Sequence, residues 1–343
     1  MSVRVYPGDT TPRDGTSSGV RRFDLSLSEN PFPPLPSVLE AVQRELAGAN
    51  RYPEFLPEKL PALIAGELRV HPDQVVVGAG ATGVAMQVLR TVVEPGRSMV
   101  FAAPTFDGYP IMAEMAGVRA VPVPLDARGG QDVRALRRAV DRHTRLLVVC
   151  RPHNPTGTVL PLAELDALLA RVPARVTVLL DEAYIEFLDR ADRPDLHHLI
   201  AKYRNLLVLR TFSKAYGLAG LRIGYAVGDI ELARRVRTQQ LPFGIGAAAG
   251  AAVDASYAAA EELRMRVRRI TEERDLLRAS LYSMGIEVPE SHANFLYLPG
   301  PGASNALRRR GIKARCYPDG SARIAVGDPE AGRAVLRAMR IPH

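Results

Sequence analysis

Leu206-Leu207-Val208-Leu209-Arg210-Thr211-Phe212-Ser213-Lys214, running on through Ala215-Tyr216-Gly217-Leu218-Ala219-Gly220-Leu221-Arg222 to Ile223-Gly224-Tyr225-Ala226-Val227, is the stretch on which the reading of this chain turns. It opens as an apolar run of strand length, breaks into a loop of Ser, Lys and Gly, and closes on a second strand-like run. A strand with apolar residues at successive positions is one buried on both faces, as in a sheet covered by helices above and below. The loop carries Lys214, one of only four lysines among 343 residues; the others are Lys59, Lys202 and Lys313. Any chemistry that needs a deprotonatable amine therefore has four candidates.

Upstream, the same texture repeats. Strand-like runs at Val75–Gly78, Met99–Ala102, Ala120–Val123, Leu146–Cys150 and Val176–Leu180 precede the two already quoted. Between several of them lie helical patterns such as Leu162–Arg171, in which Leu162, Leu165, Leu168 and Leu169 share a face. Short apolar strands alternating with helices imply an α/β fold with a mostly parallel seven-stranded sheet and right-handed crossovers. Beyond about residue 255 the pattern changes to one long helix closed by Gly285, strands at Asn294–Leu298, Ile312–Tyr317 and Ala322–Val326, and a helix opening at Asp328-Pro329. This reads as a smaller α+β domain with an antiparallel sheet. The length exceeds the roughly 250–300 residues at which single cores stop growing. The expected division is an arm and part of the small domain over 1–44, a large domain over 45–245 and a small C-terminal domain over 246–343. The Pro-rich segment Asn30–Pro36 is read as a crossing arm, because Leu25 and Leu27 before it alternate like a short strand.

Parallel sheets of this kind bind ligands at the C-terminal ends of their strands. Three neighbouring strand ends carry distinct polar groups: Asn154 in Arg151-Pro152-His153-Asn154-Pro155-Thr156-Gly157, Asp181 and Tyr184 in Asp181-Glu182-Ala183-Tyr184, and Lys214 in Thr211-Phe212-Ser213-Lys214. An amide, a carboxylate and an amine converging at one edge are what pyridoxal 5'-phosphate (PLP) requires. The amine forms a Schiff base, the carboxylate keeps the pyridine nitrogen protonated, and donors meet the phenolate oxygen. On this reading Lys214 is the Schiff-base lysine, Asp181 the pyridinium partner, and Asn154 and Tyr184 the phenolate donors. Arg222, Ser213 and Thr211 supply a guanidinium and hydroxyls to the phosphate.

Taken with Asn30-Pro31 and Arg51-Tyr52-Pro53, these segments and the 211–225 run resemble the histidinol-phosphate aminotransferase group of fold-type I PLP enzymes, over about residues 24 to 340. The resemblance implies further positions. Gly80-Ala81-Thr82 would start the helix whose N-terminus holds the phosphate. Phe106 would stack on the pyridine ring, and Tyr52 would cross a homodimer interface to the neighbour's phosphate. Arg323 would bind the substrate's acidic group, and Asn30 would stand on the substrate side. The family pattern commonly has Gly-Ser-Asp at 80–82, Asn before Asn154, Tyr at position 32 and Asn at position 244; here Ala81, Thr82, His153, Phe32 and Gly244 stand there. The cofactor machinery is kept while parts of the substrate end differ.

Blander readings exist for several of these residues. Asp181 could cap the next helix, Asn154 could serve only the turn before Pro155, Phe106 could be ordinary core, and Arg323 could be a structural ion pair. His153, Cys150 and Cys316 are assigned no chemistry. The implied activity is transamination between an amino acid, L-glutamate by resemblance, and a keto or aldehyde acceptor, with Lys214 as nucleophile and general acid/base and Arg323 orienting either substrate. The leading expectation is a histidinol-phosphate aminotransferase-like enzyme. An aromatic amino acid or specialised-metabolite aminotransferase is the alternative, and a decarboxylase of a phosphorylated amino acid stands further off.

Composition bounds the partners. The net charge of +8 would suit nucleic acid, but the basic residues are scattered. The densest stretch, Leu263 to Arg278, interleaves six arginines with acidic residues around an apolar stripe of Leu263, Val267, Ile270, Leu277 and Leu281, which reads as a core-packed helix. With the arm strand expected by about residue 24, a helix-turn-helix has no place before it. Met1–Gly15 has no apolar run of a signal peptide, and Phe243–Val253 is too short to span a bilayer. Two cysteines without C-x-x-C spacing exclude a disulfide framework and a zinc ribbon. The expectation is a cytoplasmic homodimer acting on small amino and keto acids, with no metal, nucleic acid or membrane partner.

Overall fold

The computed structural model describes residues 23–340; Met1–Gly15 and the first part of the 1–44 arm lie outside the described residues. A strand β1 (Phe23–Asp24) opens it, followed by β2 (Val75–Ala79), β3 (Ser98–Ala103), β4 (Arg119–Pro124), β5 (Thr144–Cys150), β6 (Thr177–Asp181), β7 (Leu206–Thr211) and β8 (Ile223–Gly228). The last seven form one sheet in the order β2-β8-β7-β6-β5-β3-β4, in which only β8 runs antiparallel to its neighbours. All seven strand runs read from the sequence are in it. Successive residues of each inner strand feed opposite cores. Val178 and Leu180 belong to one apolar cluster and Leu179 to the other; Leu206 and Val208 face away from Leu207 and Leu209. Each such leucine contributes roughly 1.5–3 kcal/mol by leaving water, so the register of the sheet is held from both sides.

Four shorter strands follow: β9 (Phe295–Leu298), β10 (Ile312–Lys313), β11 (Arg315–Cys316) and β12 (Ala322–Ala325). Strands β11-β12-β9 form an antiparallel sheet, as the sequence implies. The run Ile312–Tyr317 is not one strand: β10 pairs in parallel with β1, and β11 pairs with β12. The arm strand stands near residue 24, as expected, and ends before Leu27. Phe23 and Asp24 pair with Ile312 and Lys313, and Leu25 still exchanges backbone bonds with Lys313 and Ala325. Leu27 is 63% exposed, because past Leu25 the chain leaves the strand and turns its carbonyls toward Lys214. The helix Ala260–Ser283 packs Leu263, Ile270, Leu277 and Leu281 inward and ends with Gly285 at a positive φ of 79°. Its apolar face also admits Arg274, whose guanidinium bonds Asp275 and the carbonyl of Ala293. Among the described residues no helix is long and apolar enough to cross a membrane.

Candidate active site

The register brings the singled-out side chains to one edge. Cys150 lies opposite Asp181 across β5 and β6, Asp181 opposite Leu209 across β6 and β7, and Thr211 opposite Gly224 across β7 and β8. Lys214 sits in the connection from β7 to β8, where its Nζ donates to the carbonyls of Leu27 (3.3 Å) and Ser28 (3.2 Å). Burial, followed by the nearby Arg323 guanidinium, pushes this amine down to about 8. An amine so placed holds a usable neutral fraction near neutrality, which an exposed lysine does not.

Asp181 is buried, and burial raises its carboxyl above the ordinary carboxylate range. Three donors oppose that rise. The Tyr109 hydroxyl donates to Oδ2 at 2.6 Å, the Ala183 N–H to Oδ1 at 3.1 Å, and the Cys150 thiol lies 3.8 Å from Oδ2. The helix-cap alternative for Asp181 is met in part, since it accepts the N–H two residues on, but a 3-10 turn at Ile185–Phe187 follows instead of an α-helix. Asn154 approaches the Tyr184 hydroxyl at 3.5 Å through its amide nitrogen and accepts from Arg323 Nη1 at 2.8 Å through its oxygen. Burial pushes the Tyr184 hydroxyl up to about 12, so it stays a donor.

A second group forms an anion cradle. The helix Gly80–Val92 starts directly at the end of β2 with no side chain capping its first turn, so its N–H groups, including those of Ala81 and Thr82, carry the positive end of the helix dipole. Gly80 holds a φ of +73°, and a Cβ there would overlap the guanidinium of Arg222. Arg222 itself adopts the left-handed backbone at φ 53°, a conformation that costs an ordinary residue about 1 kcal/mol. Its Nη1 donates to Ser213 Oγ (3.4 Å), which also accepts from Thr211 Oγ1 (3.0 Å). Arginine, two hydroxyls and a bare helix start form a site for a phosphate-sized anion. Among the described residues no cluster of His, Cys, Asp and Glu could hold a metal ion.

The remaining wall comes from the chain ends. Buried Arg323 donates through Nη1 to Asn154 and through Nη2 to the carbonyl of Ser26 (2.6 Å), while its Nε has no partner. Among the described residues it forms no ion pair; its guanidinium lies 5.5 Å from the ring of Phe295, which packs edge-on to Tyr184. Asn30 stands beside the lysine loop. Both its amide bonds go to the carbonyls of Lys214 (3.1 Å) and Ala215 (2.9 Å), and its oxygen accepts from Phe32 N, so it braces the lysine loop. Phe32 is flanked by Arg266 and Arg269. Tyr52 does not reach this site within one chain; it is 84% exposed and packs on Phe243.

Phe106 is half-buried and edge-on to Tyr109, with ring centroids 5.6 Å apart. The loop that carries it is gripped along its length: Pro104 O by His153 Nε2 (3.0 Å), Thr105 by Cys150, and Asp107 by Arg315 (2.6 Å). His153 is held neutral by burial, which lowers it to about 4. Sequence reasoning missed Tyr109 and Asn294. The first falls three residues after Phe106 at a helix start. The second, just ahead of β9, donates to the carbonyls of Ser28 and Glu29 and fixes the arm beside Lys214.

A mostly parallel sheet with a depressed lysine, a buried aspartate and an anion cradle at one edge defines the fold-type I class of aminotransferases. The chain belongs to the aminotransferase class I and II family, whose model matches residues 21–339. It is 41% identical over 328 residues to an aromatic amino acid aminotransferase of Cutibacterium acnes, covering 94% of this chain and 93% of that protein. Identity to an aromatic amino acid aminotransferase of Streptomyces coelicolor is 39%, covering 96% and 92%. Among solved structures, histidinol-phosphate aminotransferase from Sinorhizobium meliloti in complex with pyridoxal-5'-phosphate superposes with a TM-score of 0.86 at 27% identity, covering 92% of this chain and 89% of that one. The fold is shared as well with a putative histidinol-phosphate aminotransferase from Erwinia carotovora, with a TM-score of 0.84 at 23% identity over 93% of this chain and 95% of that one.

Proposed function

We propose that this aminotransferase holds PLP at the Lys214 edge and transfers the amino group of aromatic amino acids. The residues present fit the group. Gly80 leaves room for Arg222 against an uncapped helix start, Asp181 is a buried carboxylate held by three donors, and Lys214 offers an amine lowered to about 8. When bound, PLP supplies a protonated ring that takes up the electron pair left as the substrate Cα loses its proton. Asp181 holds the positive charge of the ring nitrogen. Asn154 and Tyr184 donate to the phenolate oxygen; Arg222, Ser213, Thr211 and the N–H groups of Ala81 and Thr82 hold the phosphate, and Phe106 covers the ring. Lys214 Nζ takes the Cα proton. Arg323 fixes the substrate carboxylate and so decides which Cα bond is broken.

The observation that carries the aromatic reading is the surrounding of Arg323: a buried guanidinium with a free Nε, set beside the rings of Phe295 and Tyr184. Such a site offers one ionic grip for the carboxylate of an amino acid, in a wall backed by buried aromatic side chains. The names and coverage of the relatives at 39–41% identity support the same choice over histidinol phosphate. Comparing phenylalanine, tyrosine and histidinol phosphate with 2-oxoglutarate as acceptor tests it. Phenylalanine or tyrosine should exceed histidinol phosphate in kcat/KM by about tenfold or more, a modest difference in side-chain recognition; the reverse order would return the chain to the histidinol-phosphate reading. A second copy of the chain belongs to this proposal. Tyr52, Phe55 and Leu241 are 84%, 60% and 71% exposed beside Phe243, a patch that a partner subunit would cover while Tyr52 reaches its phosphate.

A further inference from the structure

Asp181 does not stand alone at its strand end, and the group that meets it has a second task. Tyr109 is 2% exposed and lies at the start of the helix Gly108–Met115. Its hydroxyl is given to a carboxylate oxygen at 2.6 Å, while the ring of the same side chain stands at 90° to that of Phe106. Gly108, between the two aromatics, makes this possible, since a Cβ there would overlap the Phe106 ring. Phenylalanine would fill the same volume, so packing alone does not account for the hydroxyl. A buried hydroxyl without an acceptor would be destabilising, and a buried carboxylate without donors more so. Each therefore answers the other's need.

We propose that Tyr109 is the positioning residue of this site, holding Asp181 ionised and aimed while setting the tilt of Phe106, so that one side chain couples the charge partner of the cofactor ring to its covering wall. The inference rests on the PLP reading above. Removing the hydroxyl leaves Asp181 with Ala183 N–H and the Cys150 thiol as its donors. Fewer donors favour the neutral carboxyl in a desolvated place, so the ring nitrogen would be protonated less fully. The nitrogen that joins Lys214 to the cofactor would then become easier to protonate.

The test uses the full chain loaded with PLP. In Tyr109→Phe, the midpoint of the pH titration of the bound cofactor's visible absorbance should move up by about half a pH unit or more. kcat should fall about tenfold while KM for the amino acid changes less than about twofold. A purely packing role moves none of these. Asp181→Asn supplies the second measurement. In that background Tyr109→Phe should have no further effect on the titration, because the two residues act as one unit. An unchanged midpoint and kcat in the single variant, or full additivity in the double variant, would overturn the proposal. Wild-type protein with no PLP-dependent absorbance would sink the cofactor reading and this inference together, whereas normal wild-type absorbance with an unaltered Tyr109→Phe titration removes this one alone.

Discussion

The two walls of the cleft are built on different length scales. On the sheet side, Asn154, Asp181, Lys214 and Arg222 each lie at the end of β5, β6 or β7 or in the connection that follows it, and their spacing follows from where a strand ends. On the other side, Ser28, Asn30, Asn294 and Arg323 are joined across the chain: Asn30 grips the Lys214 carbonyl 184 residues away, and Arg323 grips Ser26 across 297. Groups that hold an invariant ring can be fixed by local strand ends. The groups on the other wall, Arg323 among them, are set by how the chain's ends come to rest against the sheet.

The sharpest way to break the comparison is Lys214→Ala. If the sheet wall carries the chemistry, turnover should fall by about 10⁴-fold or more. Borohydride treatment should leave no cofactor mass on the protein, so a reducible adduct that survives the substitution would remove Lys214 from its role. Arg323→Ala probes the other wall. Loss of a buried ionic grip costs about 2–4 kcal/mol, or roughly 30- to 10³-fold in kcat/KM, while the absorbance of the bound cofactor should stay close to wild type. A comparable loss of cofactor binding would show that the walls are not separable. The smallest effect is the pH dependence of cofactor capture by the apoprotein. Since burial and Arg323 lower the Lys214 amine to about 8, the neutral, reactive form is lost as pH falls through that value. Capture rates, followed by stopped-flow absorbance, should drop about tenfold per unit below it; a rate falling only below pH 10 would contradict the depressed amine.

The seven strands of the main sheet were legible because each is an apolar run whose successive residues enter opposite cores. Asn154, Asp181, Tyr184 and Lys214 were legible because polar residues that interrupt such runs stand at strand ends. Asn30 was not: its neighbours in sequence give no sign that its amide would be spent on the backbone of Lys214 and Ala215. The arm strand falls where expected, near residue 24, but alternation at Leu25 and Leu27 carries no information about a partner near residue 312. Tyr109 carries no such signal, because a buried aromatic is ordinarily packing, and only the distance to Asp181 gives its hydroxyl a task.

Arg323 has a consequence for the order of events in synthesis. Its guanidinium ties Ser26, near the start of the described chain, to Asn154 in the middle and to β12 near the end. Contacts so distant in sequence form late. A chain leaving the ribosome can complete the seven-stranded sheet, lysine included, well before β12 exists. Lys214 is therefore in place before Arg323, whose guanidinium helps to lower its amine, and the complete site arrives last.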